Sequence, residues 1–301
     1  MTTVHIPADL PLFAEAKGKV VVLTGGSTGI GEATVRLFHR LGAFVHFLDI
    51  DTKNGERLAN ELGSNVTFYP GSVIEWADQL HVFESAVAAH GHVDIVLANA
   101  GIDEVAEDAF VDTFDAATGK LQPPTLVVLD VNLRGVLYSA KLALSFFRRY
   151  PAPDGPGGGS FVATASAASY LDTPGIPVYN AAKHGVLGFM RSLRNTLPPA
   201  AHIRVNVVAP AFVQTKFTQH LLAAWQHAGL PVNQPDQVAP ALAYLALNGA
   251  CQGQALFVAG GTYTELEGPI DAARAAWMGP ANAAWVNRKK ALNIKFGKAD
   301  E

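Results

Sequence analysis

Cysteine is almost absent from this chain of 301 residues, in which Cys251 is the single example. One thiol cannot form a disulfide within the chain, so a small secreted module held together by disulfides is excluded and a reducing compartment is favoured. The first residues, MTTVHIPADLPLFAEAKGK, have no basic segment followed by an apolar run and do not resemble a secretory signal. We therefore expect a cytoplasmic protein.

Long apolar runs and an excess of positive charge are also missing. No uncharged apolar stretch reaches the roughly 20 residues of a membrane span. A net charge of -4 leaves no electrostatic footprint for nucleic acid or an anionic membrane, so neither partner is predicted. The 10 histidines do not group with cysteine or acids at metal-binding spacings, and no metal site is predicted.

What the chain does contain is a repeated alternation of strand and helix patterns. Seven runs rich in β-branched residues have nearly continuous apolar character, which is typical of strands buried on both faces of a parallel sheet. They lie at 20–25, 43–50, 65–71, 93–101, 159–166, 203–210 and 255–261. Helical patterns fill the gaps between them. This pattern predicts a single-domain α/β fold, a doubly wound seven-stranded parallel sheet with helices on both faces.

Four segments need separate treatment. Residues 1–17 are a predicted leader before the 18–266 domain, and residues 267–301 are a C-terminal extension. Residues 102–125 carry six acids against Lys120 alone, which indicates a solvated loop with a short helix. Residues 211–235 carry an apolar face that fits either a loop closing over a hydrophobic substrate or an amphipathic helix packed on the core. That face consists of Phe212, Phe217, Leu221, Leu222 and Trp225.

A glycine-rich turn, TGGSTGIG at 24–31, links the first strand directly to the first helix. Glycines at 25, 29 and 31 allow a tight turn and the close approach of a pyrophosphate to the helix N-terminus. Asp49 ends the second strand, where an acid accepts hydrogen bonds from ribose hydroxyls and repels a 2′-phosphate. NAD is therefore predicted over NADP. The alternative for Asp49 is a helix cap, but Asp51 is better placed for that role.

Tyr179 and Lys183 are four residues apart in a predicted helix and so share one face. Such a pair in isolation merely covers a helix surface. An ammonium about 4 Å from the phenol contributes about 4 kcal/mol at an effective dielectric of 20, which is about three pKa units before desolvation opposes it. The spacing therefore allows the lysine to lower the pKa of the tyrosine phenol, and the other motifs of the chain decide between the two interpretations.

Six motifs occur in the order found in the short-chain dehydrogenase/reductase family. They are TGGSTGIG, NAG at 99–101, Asn132 in DVNLRG, Ser166 in TASAAS, YxxxK at 179–183 and NVVAP at 206–210. Over about residues 18–263 the chain resembles the shorter single-domain branch of that family, marked by TGxxxGIG and YxxxK.

The resemblance implies a role for each catalytic residue. Tyr179 would exchange a proton with the substrate oxygen that Ser166 holds. Lys183 would bind the nicotinamide ribose, and Asn132 would anchor a water in a proton relay. Without these partners, Ser166 is simply a strand-end hydroxyl and Asn132 a helix-interior amide bonded to backbone. The cofactor contacts implied are Gly25, Ser27, Thr28, Gly29, Ile30, Gly31, Asp49, Ser72, Val73, Asn99, Ala100, Gly101, Tyr179, Lys183, Pro210, Val213 and Thr215.

The chain departs from the family pattern at two places. Ser72 stands near the position where an acid often meets the adenine, and its hydroxyl can still form a hydrogen bond there. Ala211 replaces the usual glycine after Pro210, and Phe212 follows it. We expect the added methyl group and ring to narrow the space beside the nicotinamide.

The functional hypothesis is an NAD(H)-dependent oxidoreductase that interconverts a secondary alcohol and a ketone on a medium-sized apolar substrate of secondary metabolism or lipid type. Alternatives are a cofactor-bound enzyme without net redox change, by epimerisation, dehydration or cyclisation, and a non-catalytic nucleotide sensor. The helix predicted at 126–150 is apolar on more than one face. A homodimer or homotetramer is expected through this helix and the one near 177–197, as is common in the family.

Overall fold

The computed structural model describes residues 3–104, 110–153, 158–197 and 201–292. Its strands are β1 (Thr3–Val4), β2 (Val20–Thr24), β3 (Phe44–Asp49), β4 (Val66–Pro70), β5 (Ile95–Ala98), β6 (Gly159–Thr164), β7 (Ile203–Pro210), β8 (Ala255–Ala259) and β9 (Thr262–Glu265). They form one sheet in the order β1-β9-β8-β7-β6-β5-β2-β3-β4. The seven predicted strands are β2 to β8, and all of them run parallel.

The sheet has nine strands rather than the seven predicted, because two antiparallel strands extend the β8 edge. β9 returns from β8 through Gly260 and Gly261, whose φ angles of 57° and 74° suit a two-residue hairpin turn. β1 pairs with β9 and comes from the predicted leader, in which Phe13 and Ala16 are buried in the core. Strands of two and four residues are too short to give an apolar pattern of their own.

The helices are α1 (Gly29–Arg40), α2 (Thr52–Leu62), α3 (Trp76–His90), α4 (Val127–Leu129), α5 (Gly135–Arg149), α6 (Pro177–Leu193), α7 (Leu222–His227), α8 (Pro235–Leu247), α9 (Glu267–Ala272), α10 (Arg274–Met278) and α11 (Pro280–Ala291). Buried side chains of α1, α2 and α8 form the core on one face of the sheet. Those of α3, α5 and α6 form the core on the other. The predicted doubly wound architecture is confirmed. No helix in the described ranges is long and apolar enough to cross a membrane.

The helix predicted at 126–150 is interrupted by a wider turn. Residues Asp130–Arg134 form a π-helical turn between α4 and α5, in which the amide of Gly135 donates to the carbonyl of Asp130. A π turn accommodates one extra residue and often lies at a functional site. Here it contains Asn132, whose side chain is fully buried.

The acidic segment does not contain the predicted short helix within its described residues, 102–104 and 110–125; residues 105–109 lie outside the described part. Asp115 instead organises a turn, because its Oδ1 accepts hydrogen bonds from the amides of Ala117 and Thr118. A bridge between Phe114 and Leu121 closes this turn. An aspartate that bonds to the next amides competes with helix formation.

Burial of a histidine couples the stability of the sheet to pH. His46 in β3 is 3% exposed, and its Nδ1 lies 2.9 Å from the hydroxyl of Tyr69. Burial, with a smaller contribution from the nearby His90, lowers the pKa of His46 from 6.5 to about 4. The ring is therefore neutral in the folded chain at pH values at which it would be charged in the unfolded chain.

Because the unfolded chain takes up this proton first, we predict that stability falls as the pH drops from 6.5 towards 4. The loss attributable to His46 amounts to at most about 3 kcal/mol. Urea unfolding at pH 7 and pH 4.5 measures it. His46→Gln should weaken this pH dependence, whereas His220→Gln, at an exposed position, should leave it unchanged. An equal pH dependence in the wild type and His46→Gln would contradict the prediction.

Candidate active site

A cavity of about 320 Å³ opens at the carboxyl ends of the central strands. It lies where the strand order reverses, between β5 and β2, which is the usual position of ligand sites in doubly wound sheets. Most of the predicted site residues line it: Gly25, Thr28, Gly29, Ile30, Gly31, Asp49, Ser72, Val73, Asn99, Ala100, Gly101, Ser166, Tyr179, Lys183, Pro210, Val213 and Thr215. Ser27 and Asn132 do not.

At two positions of the glycine-rich turn, a residue with a Cβ atom would not fit. Gly25 has a φ of 72°, and a Cβ atom there would lie 2.6 Å from Cα of Ala100. A Cβ atom on Gly31 would lie 1.8 Å from the carbonyl oxygen of Gly25. Thr28, at the N-cap of α1, makes no side-chain capping hydrogen bond. The first amides of α1 thus have no acceptor within the helix, and the residues that carry them, Gly29, Ile30 and Gly31, line the cavity, which suits an anion such as a pyrophosphate.

Asn99 braces this turn from the next strand. Its Nδ2 donates to the carbonyl of Gly25 at 3.0 Å, and its Oδ1 accepts from the hydroxyl of Thr164 at 3.1 Å. The hydroxyl of Thr24 accepts from the amides of Asn99 and Ala100. The ends of β2, β5 and β6 are thus linked beneath the cavity. Thr24 and Thr164 lie within quoted motifs, but their bracing role depends on strand neighbours that the motifs do not reveal.

Asp49 serves the turn as well as the cavity. Its Oδ2 accepts from the amide of Ser27 and its Oδ1 from the amide of Asp51, each at 2.9 Å. Asp51, as expected, is the cap of α2, because its Oδ1 accepts from the amide of Asn54. Each oxygen of Asp49 retains a second lone pair that can accept a ribose hydroxyl.

Ser27 does not line the cavity, and its predicted contact with the cofactor stays a prediction. The residue is fully buried, and its Oγ has no hydrogen-bond partner among the described residues. Its amide is held by Asp49, which fixes the turn. Ser27 therefore supports the turn through its backbone.

Tyr179 and Lys183 lie side by side in α6, as predicted from their spacing. Lys183 is 3% exposed, and its Nζ lies 5.5 Å from the centroid of the Tyr179 ring. The same Nζ donates to the carbonyl oxygen of Thr164 at 2.9 Å. Lys183 therefore does not merely cover the helix surface, and with one hydrogen bond to the described residues its ammonium keeps two of its three N–H donors for a ligand.

The pKa of the Tyr179 phenol is raised, whereas the sequence predicts that it is lowered. Burial raises the pKa of Tyr179 to about 12, with the nearby charge of Asp103 adding to the rise and the hydroxyl of Ser166 opposing it. Burial also lowers the pKa of Lys183 to about 8. Desolvation of the phenol is thus the largest cause of its raised pKa, and Lys183, whose ammonium donates to the Thr164 carbonyl, is not among the groups that shift it. Within the chain alone, Tyr179 holds its proton at neutral pH and is suited to donate it.

Asn132 bonds to the backbone that follows the NAG motif. Its Oδ1 accepts from the amide of Ile102 and its Nδ2 donates to the carbonyl of Ile102, both at 2.8 Å. The side chain thus joins the π turn to the loop after β5. Its hydrogen bonds to the described residues are those of a helix-interior amide bonded to backbone, which is the alternative to a catalytic role. The predicted water relay stays a prediction.

Ser166 begins a short 3-10 turn, Ala167–Ser169, at the end of β6. Its Oγ accepts from the amide of Ala168 at 3.2 Å and faces the cavity. Ser169 in turn donates to the carbonyl of Lys183 at 2.8 Å. This contact joins the serine turn to the helix that carries Tyr179, so that the two hydroxyl groups share one framework.

The segment over the cavity differs from the expectation at Phe212. Its ring is buried and stacks on Trp225 at 4.7 Å, so it does not narrow the cavity, whereas Ala211 does line the wall. Phe217 contributes the aromatic wall instead, with its ring 5.9 Å from that of Tyr179. α7 buries none of its residues. This observation disfavours a helix packed on the core.

Two residues with ionisable side chains are among those at the site that the sequence interpretation missed. Glu104 accepts a hydrogen bond from the amide of Tyr179 at 2.7 Å, across 75 positions of sequence. Lys216 lines the cavity beside Thr215. Neither belongs to a recognisable spacing. Among the described residues, no group of three or more histidine, cysteine or acidic side chains is placed to hold a metal ion.

Comparisons with known proteins agree with this geometry. Residues 19–225 match the family model described as short chain dehydrogenase. The chain belongs to this family. It is an oxidoreductase of the short-chain dehydrogenase family that acts on CH–OH groups, and NAD(P) is the typical cofactor of such enzymes.

Similar members of the short-chain dehydrogenase family cover most of the chain. A protein called "Short-chain dehydrogenase/reductase prx4" from Penicillium roqueforti is 36% identical, over 97% of this chain and 89% of its own. The "5'-hydroxyaverantin dehydrogenase" of Dothistroma septosporum is 32% identical, over 82% and 86%. The structure of a 3-ketoacyl-(acyl-carrier-protein) reductase from Brucella melitensis complexed with NADH matches with a TM-score of 0.70 and 27% identity, over 81% and 98%.

Proposed function

We propose that this protein is an NAD(H)-dependent oxidoreductase that interconverts a secondary alcohol and a ketone on a medium-sized apolar substrate. The observation that carries the proposal is the convergence of the Tyr179 phenol, the Ser166 hydroxyl and the buried Lys183 ammonium on one cavity. A turn shaped to admit a pyrophosphate lines the same cavity. This arrangement supplies a proton donor beside a dinucleotide site.

In the reductive direction, the hydroxyls of Ser166 and Tyr179 donate hydrogen bonds to the substrate carbonyl oxygen. A dinucleotide held at the glycine-rich turn and Lys183 would supply the hydride for the carbonyl carbon. The phenolic proton of Tyr179 moves to the oxygen, and the resulting phenolate is stabilised by the neighbouring Lys183 ammonium. Oxidation runs these steps in reverse and begins with a deprotonated Tyr179. Because burial raises the phenol pKa to about 12, oxidation is expected to be favoured by alkaline pH.

The walls around Tyr179 support an apolar substrate. Ile102, Val131, Ala211 and Phe217 line the cavity, and they offer no charged group to the substrate. The Phe212–Trp225 stack supports the covering segment from behind. The relative called 5'-hydroxyaverantin dehydrogenase is consistent with an alcohol of secondary metabolism as the substrate type.

The preference for NAD is proposed from Asp49. Its carboxylate lies at the cavity wall and is held by two amides, so it cannot turn away from a 2′-phosphate without breaking both bonds. The NADH complex of the Brucella relative is consistent with this preference.

We predict that the wild type prefers NAD, and that Asp49→Asn raises the ratio of kcat/KM for NADP to that for NAD by at least about 10-fold. Asparagine removes the charge but retains one acceptor oxygen for the turn. Steady-state rates with both cofactors measure the ratio, and Asp112→Asn, an exposed acid outside the cavity, is the control. A wild-type preference for NADP would refute the assignment.

The central test is Tyr179→Phe, combined with a screen of alcohols and ketones by nicotinamide absorbance. We predict a fall in kcat of at least about 100-fold, because proton transfer by a positioned side chain contributes about 10²- to 10⁴-fold. Binding of NADH, followed by fluorescence, should remain close to the wild type. Tyr150→Phe, which retains its ring contact with Phe146, should leave turnover unchanged.

Three outcomes of that test would contradict the proposal. Wild-type turnover by Tyr179→Phe would remove the acid/base assignment. A product formed without net change in NADH would indicate epimerisation, dehydration or cyclisation. Nucleotide binding with no turnover on any alcohol or ketone would indicate a sensor.

We further propose a cytoplasmic homodimer or homotetramer that assembles through α4, α5 and α6. Leu126 and Val127 at the start of α4 and Leu137 in α5 are 47%, 45% and 38% exposed, which supports burial against a second copy. The single, buried Cys251 is consistent with a reducing location. Light scattering coupled to gel filtration should give the mass of two or four chains, and the mass of one chain would contradict the proposal.

A further inference from the structure

The first turn of the catalytic helix α6 lacks a local cap. The N-cap residue, Ile176, has no side-chain acceptor, and Pro177 follows it. The first backbone bond of the helix runs from the amide of Asn180 to the carbonyl of Ile176. The amides of Val178 and Tyr179 therefore have no acceptor within the helix. One of these two amides belongs to the residue that carries the phenol.

Glu104 provides the missing acceptor from another part of the chain. Its Oε2 accepts the hydrogen bond from the amide of Tyr179 at 2.7 Å. A carboxylate at a helix N-terminus is favoured both by this charge-assisted bond and by the helix dipole. The contact joins the loop after β5 to the first turn of α6.

The second oxygen of Glu104 makes the contact unusual. Oε1 is buried and has no hydrogen-bond partner among the described residues. An unsatisfied buried acceptor is costly, and one that a native fold retains needs an explanation. The amide of Tyr179 is the partner that holds the side chain in this place.

The same short loop also holds the other interior group of the site. Ile102 makes both hydrogen bonds to Asn132, and Asp103 accepts from the amide of Glu104 at 2.9 Å. Residues 102–104 therefore connect the π turn, the end of β5 and the first turn of α6. A displacement of Glu104 would release the turn that carries Tyr179 while leaving the glycine-rich turn in place.

We propose that Glu104 is a positioning residue for Tyr179, which fixes the first turn of α6 through its amide and so sets the place of the phenol relative to Ser166. The inference rests on the proposed role of Tyr179 in proton transfer. Glu104 does not line the cavity, and it acts through the backbone of Tyr179.

Two conservative variants test the length of the Glu104 side chain and its charge separately. Glu104→Asp retains the charge but is one methylene shorter, so we expect kcat to fall between about 5- and 100-fold, with the KM for the nucleotide unchanged. Glu104→Gln retains an acceptor oxygen at full length, so its kcat should stay within about 3-fold of the wild type. Glu75 is an exposed N-cap residue of α3 without a side-chain capping bond, and Glu75→Asp and Glu75→Gln are the matched controls.

Amide hydrogen exchange in the peptide 177–183 provides a readout that does not depend on activity. Exchange at Tyr179 should be faster in Glu104→Asp than in the wild type or Glu104→Gln. If the wild type shows this protection but no oxidoreductase turnover, the proposed function fails while the cap stands. Wild-type kcat and exchange in both variants would overturn the inference. A fall in kcat of Glu104→Asp that is accompanied by weaker nucleotide binding and a lower unfolding temperature would also overturn it, because Glu104 would then give only general support to the fold.

Discussion

The site depends on a buried ammonium, Lys183, held at the end of β6 by the carbonyl of Thr164. Removing an ammonium from water is costly, and its low pKa of about 8 reflects that cost. The charge is tolerated because a strand-end carbonyl accepts its hydrogen bond, an aromatic ring lies beside it and the cavity leaves room for a polar ligand. The need of the ammonium for these neighbours places α6 against the carboxyl edge of the sheet, where the glycine-rich turn also lies.

Hydrogen bonds between strands, loops and helices hold this edge together. Asn99 links the glycine-rich turn to β6, Asn132 links the π turn to the loop after β5, and Ser169 links the serine turn to α6. Asp49, at the end of β3, accepts a hydrogen bond from the amide of Ser27 and so holds the glycine-rich turn. Each of these side chains serves the backbone, so the groups that face the cavity are supported by polar contacts as well as by apolar packing.

Tyr179 shows how burial and charge compete in such a site. The spacing to Lys183 places the two groups together, as expected, but the phenol also loses its contact with water. Coulombic stabilisation of a phenolate by the lysine depends on the distance and the dielectric between the two groups, and the ammonium is held by the Thr164 carbonyl. The chain alone therefore holds a protonated phenol, and the positive charge of an oxidised nicotinamide is what would favour its ionisation.

The sequence by itself determined the seven parallel strands, the glycine-rich turn and the catalytic motifs, because each rests on local patterns: apolar runs, glycine geometry and helical spacing. The tertiary structure alone decided what depends on distant neighbours. The edge strands β1 and β9 exist by pairing with each other and with β8. The buried ring of Phe212 stacks on Trp225. The amide of Ser27 is held by Asp49, and the amide of Tyr179 in the first turn of α6 is capped by Glu104. Contacts between residues far apart in the chain leave no periodic signal, since they arise only when the strands and loops are brought together.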